Sequence, residues 1–268
     1  MTGFLKGRTA IVTGADAGVG RAVARRFAEE GAKVMLTSTD ERGLVDTAAE
    51  LRGNASARHV ETFSCDLGER LSVANLLSAV QDAFGRIDIL VDAARRSSPG
   101  HCLDMTVDDL DAAYADNVRS VFALAQATAQ RMIAQPKSGS GARGALVNVT
   151  SVAAQRTVPE LFGHSVSCAA LDQLTRSMAA CLAEHGIRVN AVALGAVMTK
   201  TLRAALKERS ELREEMVRVT PLGRIGEADE AANAVLYLAS DQASFITGQV
   251  LSVDGGRTVL DPLASPER

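Results

Sequence analysis

The sequence predicts a single α/β domain built on a doubly wound, seven-stranded parallel sheet with helices on both faces. Three observations predict it. Short β-branched runs alternate with longer helical patterns from one end of the chain to the other; a glycine-rich turn directly follows the first run; and no second compositional zone or internal repeat divides the 268 residues. A chain of this length is long enough to bury one continuous core.

The seven runs are Thr9–Thr13, Lys33–Thr37, Val60–Ser64, Ile87–Val91, Ala145–Val149, Arg188–Val192 and Gln249–Val253. Between the first two, Val19, Val23, Phe27 and Glu30 fall at helical spacing with Gly31 just beyond, which reads as an amphipathic crossover helix with a glycine stop. Helices are expected over Thr106–Ala134 and His164–His185, both rich in small residues. The segment Gln135–Gly144 (QPKSGSGARG) reads as an exposed loop. The stretch from about 198 to 220 is helical and heavily charged: either a lid-like insertion over the site or a solvated helix pair. The tail, 257–268, should be irregular. The domain therefore spans 1–268.

Composition narrows the function. Apolar residues make up 47% and charged residues 23%, ordinary for a folded globular protein. The formal charge of −3 comes without a basic run, Trp is absent and only two Tyr occur, so no nucleic-acid role is expected. No apolar run approaches the roughly 20 residues of a membrane span, and Met1–Arg8 lacks the apolar stretch of a secretory leader, so no membrane role and a cytoplasmic location are expected. The four cysteines form no CxxC pair, and no spacing supports a metal site. Cys65, Cys102 and Cys181 read as small buried apolar residues, and His59, His101 and His185 as surface or satisfied histidines.

Thr13-Gly14-Ala15-Asp16-Ala17-Gly18-Val19-Gly20 closes the first strand and opens the first helix. There the glycines permit a tight turn and close backbone approach where a helix N-terminus favours an anion. The spacing of Gly14, Gly18 and Gly20 resembles the TGxxxGxG form of the short-chain dehydrogenase/reductase family, and the resemblance runs over about residues 5 to 256. Asp66, followed by Leu67, is similar to the family's adenine-contacting aspartate, and Asn117 in DNVRSVF to its helix-kinking asparagine. Asn148-Val149-Thr150-Ser151 resembles the strand leading to a catalytic serine. Gly195 to Thr199 resembles the segment that closes over the nicotinamide, and PLGRIGEADEAANAVLYLAS with ITGQVLSVDGG resembles the C-terminal signature. The resemblance implies a Rossmann-type sheet ordered 3-2-1-4-5-6-7, ligand at the carboxyl ends of the strands, and NAD(P)-dependent alcohol or ketone oxidoreduction. It also implies a homo-oligomer, dimer or tetramer, through helix-to-helix contact.

The expected dinucleotide contacts are then Thr13, Gly14, Asp16, Gly18, Val19, Gly20, Ser38, Thr39, Asp66, Leu67, Ala93 and Thr199. After the second strand, Ser38 stands where an NAD-preferring relative carries Asp and Thr39 where an NADP-preferring one often carries Arg. Asp16 would repel a 2′-phosphate, which leans toward NAD over NADP, or no cofactor if the site has degenerated. The family's NNAG is here Asp92-Ala93-Ala94-Arg95, and Leu194 replaces the proline before Gly195. Arg95 either obstructs the site, points outward, or reaches a phosphate or an acidic substrate.

The sharpest departures are catalytic. The resemblance implies a serine, a tyrosine thirteen residues later and a lysine four beyond that; from Ser151 those positions hold His164 and Cys168. Spacing of four puts the pair on one helix face, sharing a site with Ser151. Histidine can act as acid or base near neutral pH, whereas a thiol has no ammonium to lower a neighbour's pKa. With Asn117, Ser151, His164 and Cys168 as the tetrad, three readings follow: a non-catalytic subunit pairing with an active homologue, an enzyme in which His164 is the acid/base with Ser151 in oxidoreduction or redox-neutral dehydration or isomerisation of a small-molecule substrate, or a dinucleotide or small-molecule sensor.

Overall fold

The computed structural model describes residues 3–53, 59–136, 142–209 and 211–261. The middle of the expected loop, 137–141, and the end of the expected irregular tail, 262–268, lie outside the described residues. Strands β1 (Thr9–Thr13), β2 (Lys33–Ser38), β3 (Val60–Ser64), β4 (Ile89–Asp92), β5 (Gly144–Ser151) and β6 (Ile187–Leu194) alternate with helices α1 (Gly18–Glu29), α2 (Glu41–Arg52), α3 (Arg70–Phe84), α4 (Val107–Tyr114), α5 (Ser120–Ala134) and α6 (Phe162–Leu182). Then come β7 (Val197–Met198), α7 (Lys200–Glu208), α8 (Glu211–Arg218), β8 (Gly226–Glu227), α9 (Ala228–Ala239) and β9 (Val250–Val253).

The main sheet is ordered β3-β2-β1-β4-β5-β6-β9, with every pairing parallel, as the sequence predicts once β9 is taken as the seventh strand. The two-residue pair β7·β8 was not foreseen. Central strands read as unbroken apolar runs because both faces are covered. Alternate residues serve different cores: Val12 and Leu36 pack with Phe27 of α1, Leu44 of α2 and Val235 of α9. Ile11 and Met35 pack on the opposite face with Leu76 of α3, Leu124 of α5 and Met178 of α6.

Four expectations change. The fourth run starts at Ile89 rather than Ile87, whereas β5 and β6 extend to Ser151 and Leu194, carrying the strand ends further toward the site. The helix expected over Thr106–Ala134 is interrupted by a π-helical turn at Ala115–Arg119, which takes Asn117 out of α-helical register. The helix expected over His164–His185 begins at Phe162 and ends in a 3₁₀ turn at Ala183–His185, stopped by Gly186 at φ 73°. Cys65 is buried, but Cys102 and Cys181 are exposed, one in the turn before α4 and one on the outward face of α6, away from both cores. No helix among the described residues is long and apolar enough to cross a membrane.

Candidate active site

The carboxyl ends of β1, β2, β4, β5 and β6 open onto one cleft of about 780 Å³, a volume suited to a ligand of drug or cofactor size. Its floor is the turn from β1 into α1. Gly14 adopts φ 61° and Gly18 φ 55°, conformations costly for any residue with a Cβ. A Cβ at Gly14 would lie 2.9 Å from the Ala93 carbonyl oxygen, and one at Gly20 only 2.1 Å from that of Gly14. Ala17, the N-cap of α1, offers no side-chain acceptor. The first N–H groups of a twelve-residue helix therefore carry their partial positive charge toward the cleft uncapped by protein. Thr199 caps α7, its hydroxyl accepting from the Leu202 amide at 3.1 Å, and closes over Gly18 from the other side.

At the end of β4, Asp92 is fully buried between two partners. One oxygen accepts from the Thr13 hydroxyl; the other pairs with Arg95 Nη1 at 2.6 Å. Thr13 Oγ1 in turn accepts from the Ala93 and Ala94 amides, both at 3.0 Å. Two departures from the NNAG pattern, Asp92 and Arg95, are thus a single charge pair that lashes the β4 loop to the cradle. Arg95 folds inward, which settles its direction: its side chain is 12% exposed and lines the cleft.

All twelve residues expected around a dinucleotide line this cleft, as do Ser151 and His164. Ser151 Oγ accepts from the Ala153 amide at 3.1 Å, which orients the hydroxyl at the head of a short 3₁₀ turn. His164 sits in the first turns of α6; burial, then the charge of Arg95, holds its imidazole pKa below the usual value, so the neutral ring prevails at neutral pH.

Cys168 and Asn117 are not part of the wall. Cys168 lies buried one turn beneath His164, Sγ 3.6 Å from Nε2 and 3.8 Å from Nδ1. Burial pushes its thiol pKa up, although Arg95 pulls the other way, so it is neither a cation nor a ready nucleophile. Asn117, also buried, is a clamp: Oδ1 accepts from the Arg96 amide at 3.0 Å while Nδ2 donates to the Arg96 carbonyl at 2.8 Å and to Ser167 Oγ at 3.3 Å. The π-helical turn aims it at that backbone. Among the described residues from 198 to 220, only Thr199 and Lys200 reach this cleft; Met198, Arg203, Arg213 and Val217 face a separate hollow against 223–227.

The cleft also takes in groups that the sequence did not single out, notably Glu69, Arg96, Asp116, Arg119 and Lys200. Charge of both signs lines it, Asp16, Asp66, Glu69 and Asp116 against Arg95, Arg96, Arg119 and Lys200, and Arg95 is the cation whose charge reaches His164. The cradle fits a dinucleotide: Gly14 and Gly20 let the turn close on Ala93 and on itself where a Cβ would strike backbone, which leaves the uncapped first amides of α1 facing the cleft. Gly14 to Gly20 would hold the pyrophosphate and Ser38, Thr39, Asp66 and Leu67 the adenosine end.

Comparison with known proteins agrees with this architecture. Residues 14–258 match the profile of the family described as enoyl-(acyl carrier protein) reductase. The chain is 35% identical over 255 residues to the 7alpha-hydroxysteroid dehydrogenase of Escherichia coli (strain K12), covering 94% of each chain. It superposes on the crystal structure of levodione reductase with a TM-score of 0.88 at 30% identity, covering 96% of this chain and 100% of that one. The structure of a 7 alpha-hydroxysteroid dehydrogenase complexed with NADH and 7-oxo glycochenodeoxycholic acid matches with a TM-score of 0.87 at 33% identity, covering 95% and 96%. Fold, cradle and relatives converge: the chain belongs to the short-chain dehydrogenase/reductase family.

Proposed function

We propose that this chain is an NAD(H)-binding oxidoreductase for a small alcohol or ketone, a divergent member of its family in which His164 is the acid/base and Ser151 the hydrogen-bond donor to the reacting oxygen. The observation that carries this reading is the placement of His164 in the wall of the cleft that Ser151 and the phosphate cradle also line. A neutral imidazole can accept the proton of an alcohol, and Ser151, oriented by the Ala153 amide, can donate to the oxygen as it becomes a carbonyl. Bound nicotinamide supplies the hydride acceptor. Because the ring is held neutral, oxidation is the direction it serves best at neutral pH; reduction needs the imidazolium. NAD is favoured over NADP because Asp16 lies in the cleft and no basic residue stands at the end of β2, at Ser38 or Thr39.

The test has two parts. Fluorescence titration should show saturable NADH binding, tighter than NADPH; no binding of either would sink the proposal. With binding established, His164→Ala should lower kcat for oxidation of a responsive alcohol by about 100-fold or more, the usual contribution of a positioned base. An unchanged rate would remove His164 from the mechanism.

A second reading, a non-catalytic subunit that pairs with an active homologue, is favoured by one observation: the position expected to hold a lysine is Cys168, buried and uncharged. It predicts NADH binding without turnover, together with a stable hetero-oligomer on copurification.

A further inference from the structure

We infer that the His164 end of the cleft receives a substrate bearing a carboxylate, and that the Nε–Nη2 edge of Arg95 is the group that takes it. The inference deepens the proposed function and rests on it for which end of the cleft is the reacting one.

The first ground is unused bonding capacity. Arg95 spends Nη1 on Asp92 and on the Ala94 carbonyl. Nε and Nη2 are buried and have no hydrogen-bond partner. Buried donors are nearly always matched, because stripping water from one without replacement is costly. The two idle donors are adjacent on one planar edge of the guanidinium, which is shut off from solvent; turned outward into the cleft, that edge meets both oxygens of a carboxylate at once.

The second ground is charge. Asp92 is already shared between Thr13 and Arg95, and the exposed Asp116 faces Arg96 at 3.5 Å. Arg119, in the π-helical turn, adds a positive charge to the cleft wall. A dinucleotide's phosphates belong on the glycine cradle, so the free edge of Arg95, the cation whose charge reaches His164, is left for the other reactant. The internal carboxylate that might have answered Arg95 does not. Asp172, on α6, has one oxygen without a partner and makes no ion pair with Arg95 among the described residues. Its pKa is raised by burial, against the pull of Thr150, Arg176 and Arg95.

The reaction class is then the oxidation of a hydroxy acid to a keto acid. The hydroxyl proton would go to His164, NAD+ held by the cradle would supply the acceptor for the carbinol C–H hydride, and the carboxylate, unchanged, would stay on Arg95.

Binding of unreactive probes to the NADH-loaded protein tests this: propionate, butyrate and valerate against their methyl esters, measured by calorimetry and by the NMR shifts of the His164 ring. The acid should bind at least about tenfold more tightly than the ester, since a charge-assisted bidentate pair is at stake. Arg95→Lys, which keeps the charge but loses the fork, should erode most of that preference, and Arg95→Gln should abolish it. Because Arg95→Gln alone strands Asp92, the double variant Asp92→Asn/Arg95→Gln removes the pair as a unit while keeping an acceptor for Thr13. Equal binding of acid and ester, or a preference that survives in the double variant, overturns the inference. So does a loss of NADH affinity in the Arg95 variants with the acid-to-ester ratio unchanged, which would assign the fork to the dinucleotide. If NADH fails to bind but the Arg95-dependent preference persists in the free protein, the carboxylate site stands and the proposed redox function falls.

Discussion

Replacing a phenol by an imidazole changes which proton equilibrium governs the site. Burial and Arg95 both favour the neutral ring of His164, so its folded pKa lies below the ordinary value of about 6.5. The base form is present above that folded pKa and lost as pH falls through it. For alcohol oxidation, kcat/KM should therefore be flat through neutrality and fall only with an inflection below about 6.5. Arg95→Gln should move that inflection upward, because one of the two causes is removed. An inflection above 6.5 that ignores Arg95 would place the governing proton elsewhere. The same shift bears on stability. Between the unfolded and folded values the unfolded chain takes up a proton that the native site refuses, so His164 costs stability as pH drops from about 6.5. The identity of this residue was legible from the spacing to Ser151. The direction of Arg95 was not, since a loop arginine can point either way and only the burial of Asp92 decides it. Nor was the removal of Cys168 and Asn117 from the wall: spacing of four shares a helix face but does not say which turn meets solvent, and the helix kink that the family resemblance implies at Asn117 does not say where its side chain is aimed.

At the level of elements, the strands were readable because period and composition coincide: residues such as Val12 and Leu36 are buried on one face while Ile11 and Met35 fill the other. What escaped was short or conditional. The pair β7·β8 spans only two residues each, too few for any periodicity to register. The cradle was readable since its glycines have mechanical reasons. Gly20→Ala should push a methyl to within 2.1 Å of the Gly14 carbonyl oxygen, a contact that only displacement of α1 relieves. NADH affinity should drop at least about tenfold and stability by about 1–3 kcal/mol, as for other forced insertions into packed sites. Gly7→Ala is the control: φ is 78° there, but nothing stands within 4 Å. Chemical denaturation should register only backbone strain, with NADH binding intact. Equal nucleotide affinity in Gly20→Ala and the parent would mean that the turn tolerates a methyl and that close approach is not what the cradle provides.

For the molecule as a whole, apolar side chains remain on the outer helical layer: Phe122 on α5 and Val166 on α6 are 40% and 42% exposed, with Tyr114 of α4 at 51%. Helices presenting such groups among small residues are suited to pack against a second copy. Sedimentation velocity at micromolar concentration should show a dimer or larger species, and Phe122→Asp with Val166→Asp should shift it toward the monomer; a monomeric parent would leave these faces without that role. The parallel sheet has a further consequence, for the order of events during synthesis. Each strand finds its neighbour only after a crossover has been made: Ala10 waits for Ile89, and Ala191 for Val250. The chain must close each loop before the pairing rewards it, so refolding should be slow by comparison with a helical bundle of similar length. The free margin of β6 is sealed only when β9, which begins 56 residues beyond the end of β6, has been made, and until then a nascent chain carries an open ladder able to template on a neighbour.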